Sequence, residues 1–280
     1  MNAIEIKGLK KSFKGFELGE LDLALPSGCI LGLIGENGAG KSTTIKLILD
    51  MLHKDGGTIR LFGKDNTEDI RIAKEDIGVV FDEVGIPDCL TVKQVGNVMK
   101  YSYKNWDKDE FERLTGKLSL PEDKPFKDFS RGMKMKLGIA IAMSHGSKLL
   151  LLDEATAGLD PVVRDEVVDM FSEFTRDEDH SILISSHIVS DLEKLCDYVA
   201  FLHKGKILLF EEKDKLLGEY GLIHCTESEL DAVPKDAVKY VKRNPYGLEA
   251  MVLREGVPDG ITVSPISIEE LFVFMVKEVE

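Results

Sequence analysis

The chain has 280 residues, 43% of them hydrophobic and 31% charged, with a formal net charge of −14. That is ordinary globular composition with ample material for a core, so it excludes a disordered or fibrous chain, and the acidic balance argues against a nucleic-acid partner, whose phosphates demand a basic face. Four scattered cysteines (Cys29, Cys89, Cys196 and Cys225) form no C-x-x-C pair and read as reduced, buried residues rather than disulfides or metal ligands.

Met1 to about Arg60 reads as β-rich. Ile4–Lys7 and Leu21–Leu25 alternate apolar and polar residues, and Pro26-Ser27-Gly28 marks a turn. The first residues, with Glu5 and Lys7 interrupting the apolar ones, do not read as a signal peptide. Phe13 lies in the polar stretch Lys10–Gly15, read as a link between strands. There an aromatic either stacks on a base or caps the sheet.

Cys29–Ile34 is a short apolar run suited to a buried strand, and Ile45, Ile48, Leu49 and Leu52 recur at helical spacing shortly afterwards. Between them stands Gly35-Glu36-Asn37-Gly38-Ala39-Gly40-Lys41-Ser42-Thr43, a G-x-x-x-x-G-K-S loop. Its glycines let the backbone approach a phosphate with no Cβ in the way. Successive N–H groups and the following helix dipole then form an anion nest. Lys41 reaches the β- and γ-phosphates of a nucleotide, and Ser42 offers a hydroxyl to Mg²⁺.

Ile77–Phe81 is a second buried-strand candidate and runs into Asp82-Glu83. Thr91 opens a helix to about Tyr103 by N-cap chemistry, and a further helix from Asp107 carries Phe111, Leu114 and Leu118 on one face. Phe129-Ser130-Arg131-Gly132-Met133 leads into the apolar helix Leu137–Met143. Ser130 and Gly132 there make either a plain cap or a second anion site.

Leu149–Leu152 reads as a fully buried strand that delivers Asp153 and Glu154 at its carboxyl end, where open α/β sheets bind ligands. Asp153 is placed to hold Mg²⁺, and Glu154 to orient or deprotonate an attacking water. Ala155–Pro161 is a turn into a helix ending near Arg176, and Ser181–Ser185 is a strand with His187 just past its end. Such a histidine is positioned to contact a γ-phosphate. Tyr198–His203 and Lys206–Phe210 form a hairpin.

Past Lys213 the pattern gives a short helix to Tyr220, a strand at Leu222–Thr226, a polar helix near Val233–Lys242, a strand near Leu248–Leu253 and an amphipathic helix from Ser267 to Glu278. The stripe Ile268, Leu271, Phe272, Met275 and Val279 reads as core or interface. No apolar run approaches the length needed to cross a bilayer.

In their order, these motifs resemble the ATP-binding cassette of ABC transporters, over about Met1 to Phe210. The resemblance implies an α/β fold: a phosphate-loop NTPase core with an N-terminal antiparallel β subdomain and a helical insert at about 88–145, together the cassette 1–212. A small α+β extension, 213–280, would follow. It implies that Gly35–Thr43 is the Walker A loop, that Asp153 and Glu154 are the Walker B acid and catalytic glutamate, and that Phe13 is the adenine-stacking aromatic. Asp160 would be the D-loop acid, His187 the switch histidine, and Phe129–Met133 the signature, usually L-S-G-G-Q. Ser130 and Gly132 keep that pattern, while Arg131 replaces its first glycine and Met133 its glutamine. Asp82 stands where a Q-loop glutamine is usual; a carboxylate can approach Mg²⁺ or its waters but cannot donate as an amide does.

The implied activity is ATP hydrolysis with Mg²⁺. Two cassettes would close head to tail, homo- or heterodimeric, with Lys41 acting in cis and Ser130 in trans. They would drive a separate transmembrane permease from the cytoplasmic face of the membrane, with the tail resembling multidrug or peptide-antibiotic exporters. A soluble ABC-type ATPase of a non-transport assembly is the alternative.

Overall fold

A computed structural model describes residues 1–67, 74–244 and 247–279. Strands β1 (Asn2–Phe13), β2 (Phe16–Pro26), β4 (Gly56–Leu61) and β5 (Lys64–Asp65) form an antiparallel sheet in the order β2-β1-β4-β5. The second sheet runs β10-β9-β3-β8-β7-β6. Its members are β3 (Ile30–Gly35), β6 (Ile77–Val80), β7 (Leu149–Asp153), β8 (Ser181–Ser186), β9 (Tyr198–His203) and β10 (Lys206–Glu212). All neighbours in it are parallel except the β9–β10 hairpin.

This sheet is covered on both faces, so its strands are continuous apolar runs rather than alternating ones. Ile30, Ile34, Leu150, Leu152, Ile182 and Ile184 face one core, shared with the helices of the insert. Leu31, Leu33, Leu149, Leu151 and Leu183 face the other, shared with the antiparallel sheet and α1 (Lys41–Ile48). Among the described residues the insert holds α2 (Val92–Ser102), α3 (Lys108–Lys117) and α4 (Arg131–Met143). Thr91 and Gln94 close a reciprocal capping box on α2, Asp107 caps α3, and Phe111, Leu114 and Leu118 are buried as their spacing predicts. On the same face lie α5 (Pro161–Phe174) and α6 (Val189–Leu195).

The tail comprises α7 (Lys213–Glu219), β11 (Tyr220–Cys225), α8 (Glu227–Ala232), β12 (Val238–Asn244), β13 (Gly247–Leu253) and α9 (Ile268–Val279). It corrects one expectation. The segment expected as a polar helix near Val233–Lys242 contains β12, paired antiparallel with β13 through Tyr240–Met251 and Val241–Ala250. Pro234 stops the preceding helix, and the β-branched and aromatic residues Val238, Tyr240 and Val241, all half-buried, suit a strand. The predicted stripe on α9 is core: Ile268 and Leu271 are fully buried, Phe272 meets Phe201 edge-on at 5.3 Å, and Met275 packs on the same cluster. The side chain of Val279 lies outside the described residues. Two cysteines depart from expectation, since Cys89 is exposed and Cys29 only half-buried; all four are free thiols.

Candidate functional site

The site forms at the carboxyl ends of β3, β7 and β8. β3 is buried throughout and ends at Gly35, after which Glu36, Asn37 and Gly38 turn out to solvent. Gly38 (φ +81°) and Gly40 (φ +115°) adopt left-handed backbone that L side chains rarely populate. Gly40 is the N-cap of α1 and has no side chain to satisfy the first-turn N–H groups, and that turn carries no acidic residue. Those donors are left for an external anion, with the helix dipole behind them. Thr43 is half-buried and Ser42 is exposed in this turn. The loop is braced from below: Gly205, in the β9–β10 turn, donates its N–H to the Ala39 carbonyl at 3.0 Å.

Lys41 is only 6% exposed. Its ammonium donates to the carbonyls of Gly35 at 2.7 Å and Glu36 at 3.3 Å, and lies 3.3 Å from Glu154 Oε1. Glu154 follows β7 with φ +56°, a conformation costly for a residue with a Cβ. It is held there because its N–H donates to the Ser185 carbonyl and its own carbonyl accepts from Ala157. Its second oxygen, Oε2, accepts from the His187 N–H at 3.3 Å and lies 2.6 Å from His187 Nδ1. Asp153, one residue earlier, is buried and its Oδ1 accepts from the Ser185 hydroxyl at 2.6 Å. α1, which carries Ser42, packs on β7, which ends in Asp153. The Gly35–Thr43 loop, Asp153, Glu154 and His187 therefore lie together at these strand ends.

Phe13 is not between strands but ends β1, opposite Phe16 across a tight hairpin, with ring centroids 6.3 Å apart. It is 41% exposed, and Lys11 Nζ sits 5.6 Å from its ring centroid. Phe16 in turn touches the space beside Gly40, which ties this aromatic pair to the phosphate loop.

The remaining predicted residues form a second group. Ser130 N-caps α4, accepting from the Met133 N–H at 3.3 Å, and Asp160 N-caps α5, accepting from Val163 N–H at 3.2 Å. Gly132 packs against the Gly158 carbonyl, so the start of α4 lies on the turn before α5. Asp82 pairs with Arg131. Among the described residues no hydrogen bond or ion pair joins this group to Lys41 or Glu154. Sequence reasoning missed Arg164, whose Nη2 donates to the Leu159 carbonyl at 3.2 Å and whose Nε lies 3.7 Å from Asp191 on α6. It also missed the buried His203, whose Nδ1 lies 3.5 Å from the Glu36 carboxylate. Neither belongs to a motif, and only their proximity in sequence to Asp160 and to the β9–β10 turn could have pointed to them.

A protein-family model described as ABC transporter matches residues 18–157. The chain belongs to the ABC transporter family. The ATP-binding protein YtrB of Bacillus subtilis is 30% identical over 285 residues, covering 96% of this chain and 97% of its own. The lantibiotic transport ATP-binding protein SrtF of Streptococcus pyogenes is 36% identical over 219 residues, covering 75% of this chain and 91% of its own. A solved ATP-binding subunit of an ABC transporter superposes with a TM-score of 0.69 at 25% identity, over 76% of this chain and 91% of that one. The cassette is thus an ATP-binding, ATP-hydrolysing transporter subunit, a family whose members work with membrane permeases. Among the described residues no helix is long and apolar enough to cross a membrane.

Proposed function

We propose that this cassette closes head to tail with a second cassette on ATP and Mg²⁺ and drives a separate, export-type permease from the cytoplasmic face of the membrane. The convergence of Lys41, Asp153, Glu154 and His187 at three adjacent strand ends carries the reading. Similarity to a lantibiotic transport protein supports a peptide-antibiotic class of cargo. Transporter relatives also favour it over a soluble, non-transport ATPase.

In this reading the N–H groups from Gly38 to Thr43 hold the phosphates, and Lys41 exchanges its Glu154 contact for a phosphate oxygen. The Ser42 hydroxyl and the Asp153 carboxylate are hard oxygen donors suited to Mg²⁺, which supplies charge neutralisation on the β- and γ-phosphates. Asp82 is engaged by Arg131 instead, so Ser42 and Asp153 would hold the metal without it. Glu154, freed from Lys41 and oriented by His187, takes the proton of the attacking water. Ser130, the Gly132 N–H and the Asp160 turn face the second cassette's nucleotide, and Phe13 stacks on the adenine. Residues 1–212 form the cassette and 213–280 an extension; the extension's own small core around Ile223, Ala250 and Val252 supports that division.

The test is capture from native membranes with tagged Glu154→Gln protein held in ATP and Mg²⁺. Stoichiometric recovery of a multi-spanning protein is expected. Recovery of a soluble assembly instead would overturn the permease reading.

A further inference from the structure

The two informative departures from the cassette pattern lie against each other. Asp82 follows β6, Arg131 opens α4, and the guanidinium of Arg131 pairs with Asp82 Oδ1 across 49 residues of chain. The same side chain lies along the turn before α5, since a Cβ placed on Gly158 would sit 3.4 Å from Arg131 Cδ. One residue thus bridges the carboxyl end of β6, the N-terminus of α4 and the Gly158 turn.

The neighbouring cations are engaged otherwise. Lys134 lies over the Phe126 ring at 4.7 Å, and Lys136 donates to the Leu118 carbonyl at 3.2 Å, so both point into the insert itself. The first turn of α4 carries no acidic residue. Asp82 is therefore the carboxylate that orients the charge beside Ser130, and it reaches it from the central sheet.

We infer that Arg131 and Asp82 act as one positioning pair, which sets the start of α4, and with it the Ser130–Gly132 anion site, against the core. The side chains are 59% and 47% exposed, and such pairs add little to global stability. A small bias is nevertheless enough to select between two packings of an insert on its core. Each departure alone would leave an unmatched charge at a phosphate site; together they compensate. The effect on ATP use rests on the cassette closure proposed above, whereas the effect on the position of α4 does not.

The test compares Arg131→Ala, Asp82→Ala, the double variant and the charge swap Asp82→Arg/Arg131→Asp. Two readouts are used: steady-state ATP hydrolysis, and the distance distribution between spin labels at exposed Tyr101 and Val162 in a Cys89→Ser background without nucleotide. Each single variant is expected to raise KM for ATP about three-fold with kcat within two-fold, the size of one exposed coupling. Each is also expected to broaden the label distribution. The double variant should show no more than either single, and the swap should restore both readouts. Additive losses in the double, a swap that rescues neither readout, or an unchanged label distribution throughout would overturn the pair. If none of the four proteins, nor the parent, turns over ATP, the proposed function fails while the labels still decide this inference.

Discussion

The Lys41 ammonium lies 3.3 Å from one carboxylate oxygen of Glu154, while His187 Nδ1 lies 2.6 Å from the other. A single carboxylate is thus shared between the Lys41 ammonium and the strand-end histidine. The Gly35–Thr43 loop and the β7 and β8 strand ends are joined through one side chain. Removal of the cation and removal of the carboxylate should therefore separate binding from turnover.

Lys41→Ala is expected to weaken ATP binding by about 1.5–3 kcal/mol, or roughly 10- to 150-fold in Kd, the value of a charge-assisted contact. Glu154→Gln keeps the shape and removes the base, so turnover should stop while ATP affinity holds or tightens, since a negative charge beside the phosphates is lost. Titration with a fluorescent ATP analogue and phosphate-release assays check both. Unchanged affinity in Lys41→Ala, or residual turnover near wild type in Glu154→Gln, would remove these roles.

The loop's glycines should differ in cost. Gly38 has φ +81° and open space around it, so Gly38→Ala meets backbone strain alone, about 1–2 kcal/mol. A Cβ at Gly35 would lie 2.4 Å from the Leu202 carbonyl oxygen, a backbone atom that cannot swing aside. Gly35→Ala should therefore exceed Gly38→Ala by about 1–3 kcal/mol, the usual range for overpacking, and also lose ATP binding. Denaturant midpoints order the two, and equal losses would show that β9 yields at this contact.

Much of this was legible because the informative residues are local and periodic. The strand, loop and helix around Gly35–Thr43 and the four leucines before Asp153 each sit within one short window. The cap at Thr91 and the helix start at Asp107 follow from residue type alone, whereas Ser130 reads either as a cap or as an anion site. What sequence could not give is pairing across the chain. The meeting of Asp82 and Arg131 depends on how α4 lies on the sheet, and β12 became a strand because β13 offers it partners. The left-handed backbone at Glu154 has no sequence signal either, since it is imposed by hydrogen bonds to Ser185 and Ala157.

His145 gives a pH dependence. Its ring stacks on Tyr103 at 4.1 Å, its Nδ1 lies 3.2 Å from the Glu75 carbonyl, and its buried Nε2 has no hydrogen-bond partner among the described residues. Burial pushes its pKa below the ordinary imidazole value, against the opposing pull of the Glu75 carbonyl and the nearby Glu75 and Asp76 carboxylates. The folded state thus binds a proton less readily than the unfolded chain. Stability from this group is complete above the unfolded value of about 6.5 and falls as pH drops below it towards the folded value. His145→Phe keeps the stack and removes the titration. Its melting temperature should vary less than wild type's between about pH 6.5 and 5, and parallel curves would exclude His145 as the source.

Arg164 connects two parts of the site that no motif links. It holds the Leu159 carbonyl, next to Asp160, and approaches Asp191, which lies on α6 four residues past His187. Asp191 is 7% exposed, so deleting the guanidinium leaves a buried carboxylate without its cation. Arg164→Ala should therefore cost about 1–3 kcal/mol of stability and lower kcat with little change in KM for ATP, because the helix that follows His187 loses its brace. Arg164→Lys keeps the charge but not the fork that spans both partners, so it should recover only part of either loss. Adding Asp191→Asn to Arg164→Ala removes the stranded charge, and should restore stability without restoring kcat. Denaturation and steady-state kinetics on the same four proteins separate the two effects. Recovery of kcat along with stability would make Arg164 a purely structural residue.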